Sequence, residues 1–319
     1  MKSTTKVTPW VMLTLLPAIL LLGGCTQINQ TKSNGNRLTV AATIFPLYDI
    51  ARQIGGDKID VKLILPPGAS PHTFEVSPGQ IRELQTTKLI LAVGQGADDW
   101  TNNLGEAIGA KIATVEKNIE LKPFEHQEHE HHEEDHDDDD DEEENDEHQH
   151  GQFDPHYWLS PANAKIIAQN ITDELSELDP ANQSDYQNNA EKFITELANK
   201  DQEWHNKIGT LENKNLVVFH DAWGYFADYF GLDIVATFEP FPGKSPSPKY
   251  LADLENEVKA KNIKALFVEP QLSQEAINTM AKDLNVEVKV LDPLGGADER
   301  NSYLKLIDYN INNIANTLK

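Results

Sequence analysis

Short apolar runs alternate with stretches of helical spacing along most of the chain. The run LTVAATIF at 38–45 is rich in β-branched residues and ends at a proline, and FPLYDIARQIGG after it has helical spacing and closes on a glycine pair. Further short apolar runs fall at 60–67, 89–94 and 111–116. The same alternation resumes at 215–220, 232–239, 264–270 and 286–293, each run followed by a helix-like stretch, the last from about Ser302 to the end. This alternation predicts parallel sheets with helices on both faces.

Between the two sets the period changes to that of helices alone. SPANAKIIAQNITDELSELDP reads as a helix with Ser160 as its cap and Pro161 in its first turn. Asp179 and Pro180 open a longer one, over about 180–212. There Tyr186, Ala190, Phe193, Leu197, Trp204, Ile208 and Leu211 recur at steps of four, three and seven, which is one apolar face of a continuous helix. The expectation is therefore α/β: two lobes, with one long helix between them.

Two segments stand outside this pattern. The first, 1–24, pairs a basic start, MKSTTK, with the apolar WVMLTLLPAILLLGG, which is too short and proline-broken to span a membrane and reads as a signal peptide. It ends in LLGGC, which resembles a bacterial lipobox, so Cys25 is expected to be lipidated and to begin the mature protein. The polar run to residue 37 then serves as a tether. This places the protein in the periplasm or at the cell surface as a membrane-anchored lipoprotein. Cys25 is the only cysteine, which excludes an internal disulfide and a thiolate metal site.

The second is EHQEHEHHEEDHDDDDDEEENDEHQH, residues 125–150, with 16 acidic residues and seven of the chain's 11 histidines. It carries most of the formal net charge of −25 and leaves the remainder near −9. Such a stretch cannot bury apolar surface and is expected to be a disordered loop over 125–152. Its histidines, His126, His129, His131, His132, His136, His148 and His150, are candidates for weak, exchangeable metal sites, because gathering them costs chain entropy. No basic patch occurs, so nucleic acid is not an expected partner.

Four histidines remain. His205 lies mid-helix beside Trp204 and reads as a surface residue. His72 follows a strand in GASPHTFEVSP, His220 closes the strand NLVVFH, and His156 sits in DPHYWLSP just before a helix cap. Asp292 closes the run VEVKVLDP. In doubly wound sheets ligands bind beyond the carboxyl ends of the strands, so three imidazoles and a carboxylate can meet in one crevice. The nearby acids Glu75, Asp221, Glu239 and Glu269 are candidates to orient the histidines.

PHTFEVSP, DPHYWLSP, FHDAWGYF and LDPLGG, in this order, resemble the motif set of the metal-binding lipoproteins that serve ABC importers, the zinc and manganese cluster of solute-binding proteins. The likeness covers essentially the whole mature chain. It is nearest to the zinc-uptake members, where a His/Asp-rich loop precedes the second ligand. The resemblance implies two four-stranded, mainly parallel, doubly wound lobes, at 38–178 and 214–319, joined by one rigid helix at 179–213. It implies Zn²⁺ held by His72, His156 and His220, with Asp292 or a water as the fourth ligand. Some zinc members have an acid just before the first histidine, where this chain has Pro71, so the coordination number stays open.

The manganese members usually place a carboxylate where this chain has His220, and imidazole suits zinc while oxygen-rich sites suit manganese. The implied partners are an ABC permease and its ATPase, served by a monomer. The rival readings are a manganese or other divalent-metal member of the same family, and a secreted zinc-dependent hydrolase. Against the hydrolase, no HExxH, GxSxG or phosphate-binding glycine loop occurs.

Overall fold

The computed structural model describes Met1, Lys2 and Thr4 and residues 37–123, 152–239, 247–261, 263–272 and 275–319. The rest of the proposed signal peptide, Cys25 and the seven tract histidines lie outside the described residues.

The first lobe opens with β1 (Leu38–Ala42), α1 (Phe45–Gly55) and β2 (Ile59–Leu63). A 3₁₀ turn at Pro71–Thr73, α2 (Pro78–Glu83), β3 (Leu89–Ala92), α3 (Trp100–Ile108) and β4 (Lys111–Thr114) follow. The strands pair in the order β2-β1-β3-β4, all parallel. A 3₁₀ turn at His156–Leu159 then leads into α4 (Pro161–Leu178). Ser160 is at its N-cap, but its side chain makes no cap hydrogen bond, so Pro161 alone carries the start signal.

The long helix is α5 (Gln183–Gly209), 27 residues after a 3₁₀ turn at Pro180–Asn182. At 1.5 Å per residue it runs roughly 40 Å. Asp179 pins its entry, accepting from Asn182 Nδ2 and from Tyr186 Oη at 2.6 and 2.7 Å. Six positions of the expected apolar stripe, from Tyr186 to Ile208, form the buried face of the helix, and Leu211, also buried, lies just past its end.

The second lobe repeats the first: β5 (Asn215–His220), α6 (Gly224–Phe230), β6 (Asp233–Glu239), α7 (Pro248–Ala260), β7 (Ala265–Val268), α8 (Glu275–Leu284), β8 (Glu287–Val290) and α9 (Tyr303–Leu318). Its strand order, β6-β5-β7-β8 and all parallel, matches that of the first sheet. Both sheets therefore have a topological switch point, between β1 and β3 and between β5 and β7, where a doubly wound sheet leaves a crevice.

The faces of the second sheet divide by residue parity, as a period of two requires. Leu216, Val218 and Phe267 join a large apolar cluster containing Val40, Leu47, Trp158, Phe193, Trp204 and Ile307, so one core spans both lobes and α5. Val217, Phe219, Leu266 and Val268 face a separate, smaller cluster. Polar ties cross the lobes too. Tyr303 at the start of α9 donates its backbone N–H to buried Asp49 on α1 at 2.8 Å, and its hydroxyl to the Trp158 carbonyl at 2.8 Å. Residues 37–319 form one compact unit.

Candidate metal site

Each of the three histidines is presented by a different local device. His220 ends β5 on the side of the sheet that faces the shared core. Val218 is opposite Phe267 in the β5–β7 register, so two residues further on His220 comes opposite Glu269, on the same face. His220 Nδ1 lies 2.7 Å from Glu269 Oε1, which also accepts from Trp223 Nε1 at 3.1 Å.

His156 is the first residue of its 3₁₀ turn, and buried Tyr157, Trp158 and Leu159 anchor that turn. Trp158 donates to the Pro293 carbonyl at 2.8 Å and its ring packs against the His156 imidazole, centroids 5.2 Å apart. Asp154 Oδ1 takes both the His156 backbone N–H, at 2.9 Å, and Nδ1, at 2.7 Å. His72 sits in the turn after β2, and Trp100 Nε1 holds that turn through the Pro71 carbonyl at 3.2 Å. His156 and His220 are buried and His72 is half-buried.

With Nδ1 engaged, the Nε2 atoms of His156 and His220 are left to face inward. His72 Nε2 is 3.2 Å and His220 Nε2 is 3.4 Å from His156 Nε2. Donor atoms of the three rings all lie within 4.8 Å of one another, which makes a group able to hold a metal ion. Zn–N bonds of about 2.0–2.1 Å at tetrahedral angles separate two nitrogens by about 3.3–3.4 Å. The two distances from His156 Nε2 match that separation. The cavity that the three histidines line together with Trp158, Leu272 and Pro293 measures about 20 Å³, room for one water.

Burial and charge act on the group in different directions. Burial holds His156 well below the usual imidazole value, and the nearby His220 charge adds to this. Burial pushes Asp154 up to about 7, against the His156 N–H bond and the charges of His220 and Lys122. At His220 burial again acts downward, but the Glu269 charge and hydrogen bond outweigh it, so its value is raised.

Asp292 does not belong to that group of donor atoms within 4.8 Å of one another. Its Oδ1 accepts from Gln271 Nε2 and the backbone N–H groups of Leu294 and Gly295 at 2.9, 3.0 and 3.0 Å. Its Oδ2 is 2.8 Å from Arg300 Nε. Asn310 also brackets the Asp292 backbone, accepting from its N–H and donating to its carbonyl. Of the four acids suggested for orientation, Glu269 fills the role for His220. Glu239 is the β6 residue paired with His220 in register, and Glu75 is exposed. Asp154 escaped sequence reading, although its place two residues before His156 was the available signal. His205 is exposed on α5, its ring against Tyr229 and Phe230.

Two α/β lobes around a buried cluster of nitrogen donors define a two-lobed metal-binding protein, and solved structures agree. The crystal structure of ZnuA superposes with a TM-score of 0.76 at 26% identity, over 89% of this chain and 100% of that one. That of a ZnuA deletion mutant with zinc bound gives 0.75 at 26%, over 89% and 99%. A family model described as zinc-uptake complex component A, periplasmic, matches residues 40–317, and the chain belongs to that family. The high-affinity zinc uptake system protein ZnuA of Bacillus subtilis (strain 168) is 30% identical over 97% of this chain and 98% of its own length. The zinc-binding protein AdcA of Streptococcus pyogenes serotype M3 is 29% identical over 86% of this chain but 54% of its own length, so the chain spans about half of that relative.

Proposed function

We propose that the protein captures Zn²⁺ outside the cytoplasmic membrane through the Nε2 atoms of His72, His156 and His220 and delivers it to an ABC permease and its ATPase. The supporting observation is the 3.2 and 3.4 Å spacing of the three nitrogens. Zinc is cargo here. Three neutral imidazoles suit it better than manganese, which prefers oxygen donors. A single water fits the fourth coordination position.

In this reading residues 1–24 are a signal peptide and Cys25 is the lipidated start of a tether to residue 37. A monomer with lobes at 38–178 and 214–319 and the linking helix at 179–213 does the work. Among the described residues no helix is long and apolar enough to cross a membrane. The tract histidines His126, His129, His131, His132, His136, His148 and His150 supply weak sites that raise the local zinc concentration near His156.

Zinc titration with a competing chelator tests the reading. Wild-type protein binds one ion tightly and several weakly. Deleting 125–150 removes the weak sites and keeps the tight one. Four ligands together supply about 10–16 kcal/mol in structural zinc sites, so His72→Ala, His156→Ala and His220→Ala each weaken the tight site on the order of a hundredfold or more. A tight site that survives all three alanines, or that disappears with the tract, refutes the assignment.

A further inference from the structure

One hydroxyl of the second lobe holds the segment that carries the middle histidine. Tyr225 lies on α6, buried, its ring edge-on to Tyr157 with centroids 6.5 Å apart. Its hydroxyl accepts the backbone N–H of Lys122 at 2.7 Å and donates to the Asp154 carbonyl at 3.2 Å. One phenol thus uses both its acceptor and donor capacity on two backbone groups 32 residues apart in sequence. Those strands of chain are themselves joined by Asp154 N–H to the Lys122 carbonyl at 2.8 Å and by an antiparallel bridge between Pro123 and Phe153. The Lys122 ammonium lies over the Tyr225 ring, 5.4 Å from its centroid, and pairs with Asp228 one turn further along α6. Burial pushes the Tyr225 phenol up to about 12, so it keeps its proton and remains a donor at physiological pH.

The residue so fixed is the one that orients His156. Asp154 Oδ1 receives both the backbone N–H and the Nδ1 of His156. Gly224, next to Tyr225, passes close to the same carboxylate: a Cβ there would stand 3.4 Å from Asp154 Oδ2. The chain of contact runs from α6 through the Asp154 backbone to its carboxylate and on to the His156 ring.

We infer that Tyr225 is a positioning residue for zinc binding, acting from the second lobe through Asp154 to fix the His156 imidazole. The inference rests on the proposed three-histidine zinc site. It goes beyond that site by making the lobe that contributes His220 also set the aim of a ligand in the other lobe.

The test is a double-mutant cycle in zinc affinity on the full chain, using Tyr225→Phe, Asp154→Asn and Glu269→Gln. Tyr225→Phe keeps the ring and loses both hydroxyl bonds. It weakens tight zinc binding by about 2- to 10-fold, the usual worth of a net hydrogen bond. Because Tyr225 acts through Asp154, its effect shrinks or vanishes in the Asp154→Asn background, whereas with Glu269→Gln, which serves His220, the two effects multiply. A general loss of packing predicts multiplication in both backgrounds and would overturn the inference, as would unchanged affinity in Tyr225→Phe. If wild-type protein has no tight zinc site, the functional proposal itself fails, and that outcome is distinct from either of these.

Discussion

Replacing Glu269 by glutamine isolates what a buried carboxylate does for a ligand it touches. The residue is 1% exposed, and its Oε1 meets two donors, His220 Nδ1 at 2.7 Å and Trp223 Nε1 at 3.1 Å. Glutamine keeps the shape and an accepting oxygen but removes the charge. A hydrogen bond to a charged group contributes about 1.5–3 kcal/mol and a neutral one about 0.5–1.5, so the change costs about 1–1.5 kcal/mol at the imidazole. That is about tenfold in affinity, the low end of the 10–100-fold seen when partners of ligating histidines are removed. The Trp223 bond is made with or without metal and drops out of the difference. Chelator competition at constant pH and salt reads the affinity, and thermal melting of metal-free protein confirms that the variant folds. Zinc affinity within twofold of wild type, in a protein where His220→Ala abolishes tight binding, would show that the carboxylate contributes nothing to the ligand.

Acidity should weaken zinc binding, since each imidazole must be neutral to ligate. His220, raised by Glu269, begins to compete for protons above the ordinary value of about 6.5, and His156, lowered by burial, only well below it. Affinity measured from pH 8 to 5 should therefore fall early and steepen as further imidazoles protonate, and a flat profile contradicts this. Asp292→Asn should act chiefly on stability: the carboxylate is 2% exposed and faces Arg300, and breaking such a buried pair costs about 3–5 kcal/mol. Zinc affinity of the folded variant should change far less than in His220→Ala, and a loss of equal size would make Asp292 a ligand in the loaded protein.

The fold was legible because its strands are short apolar runs with clear stops. Asn215–His220 falls where NLVVFH predicts it, and the seven other strands lie within their runs or start a residue early, as β2 does at Ile59. The long helix was legible from six apolar positions on one face, though its entry is a 3₁₀ turn that spacing cannot distinguish from α-helix. Candidate ligands could be named from their places after strands and before a cap. Their convergence could not, because it depends on how two lobes pack. Asp292 illustrates the limit. A strand-end Asp-Pro looks the same in sequence whether it faces the crevice or Arg300, which lies eight residues on in a separate turn. Asp154 and Tyr225 were hidden for a related reason: each works through a backbone group or a ring nitrogen of another residue, and no residue-type pattern encodes that.

The apolar cluster that runs through both lobes and α5 bears on how the molecule can be taken apart. Cut at the middle of α5, each half would lose the larger part of its interior: one would bare Leu47 and Trp158, the other Val218 and Ile307, all of which now share a single filling. Melting should proceed as one cooperative event, and a fragment ending at the linking helix would be a poor candidate for separate expression.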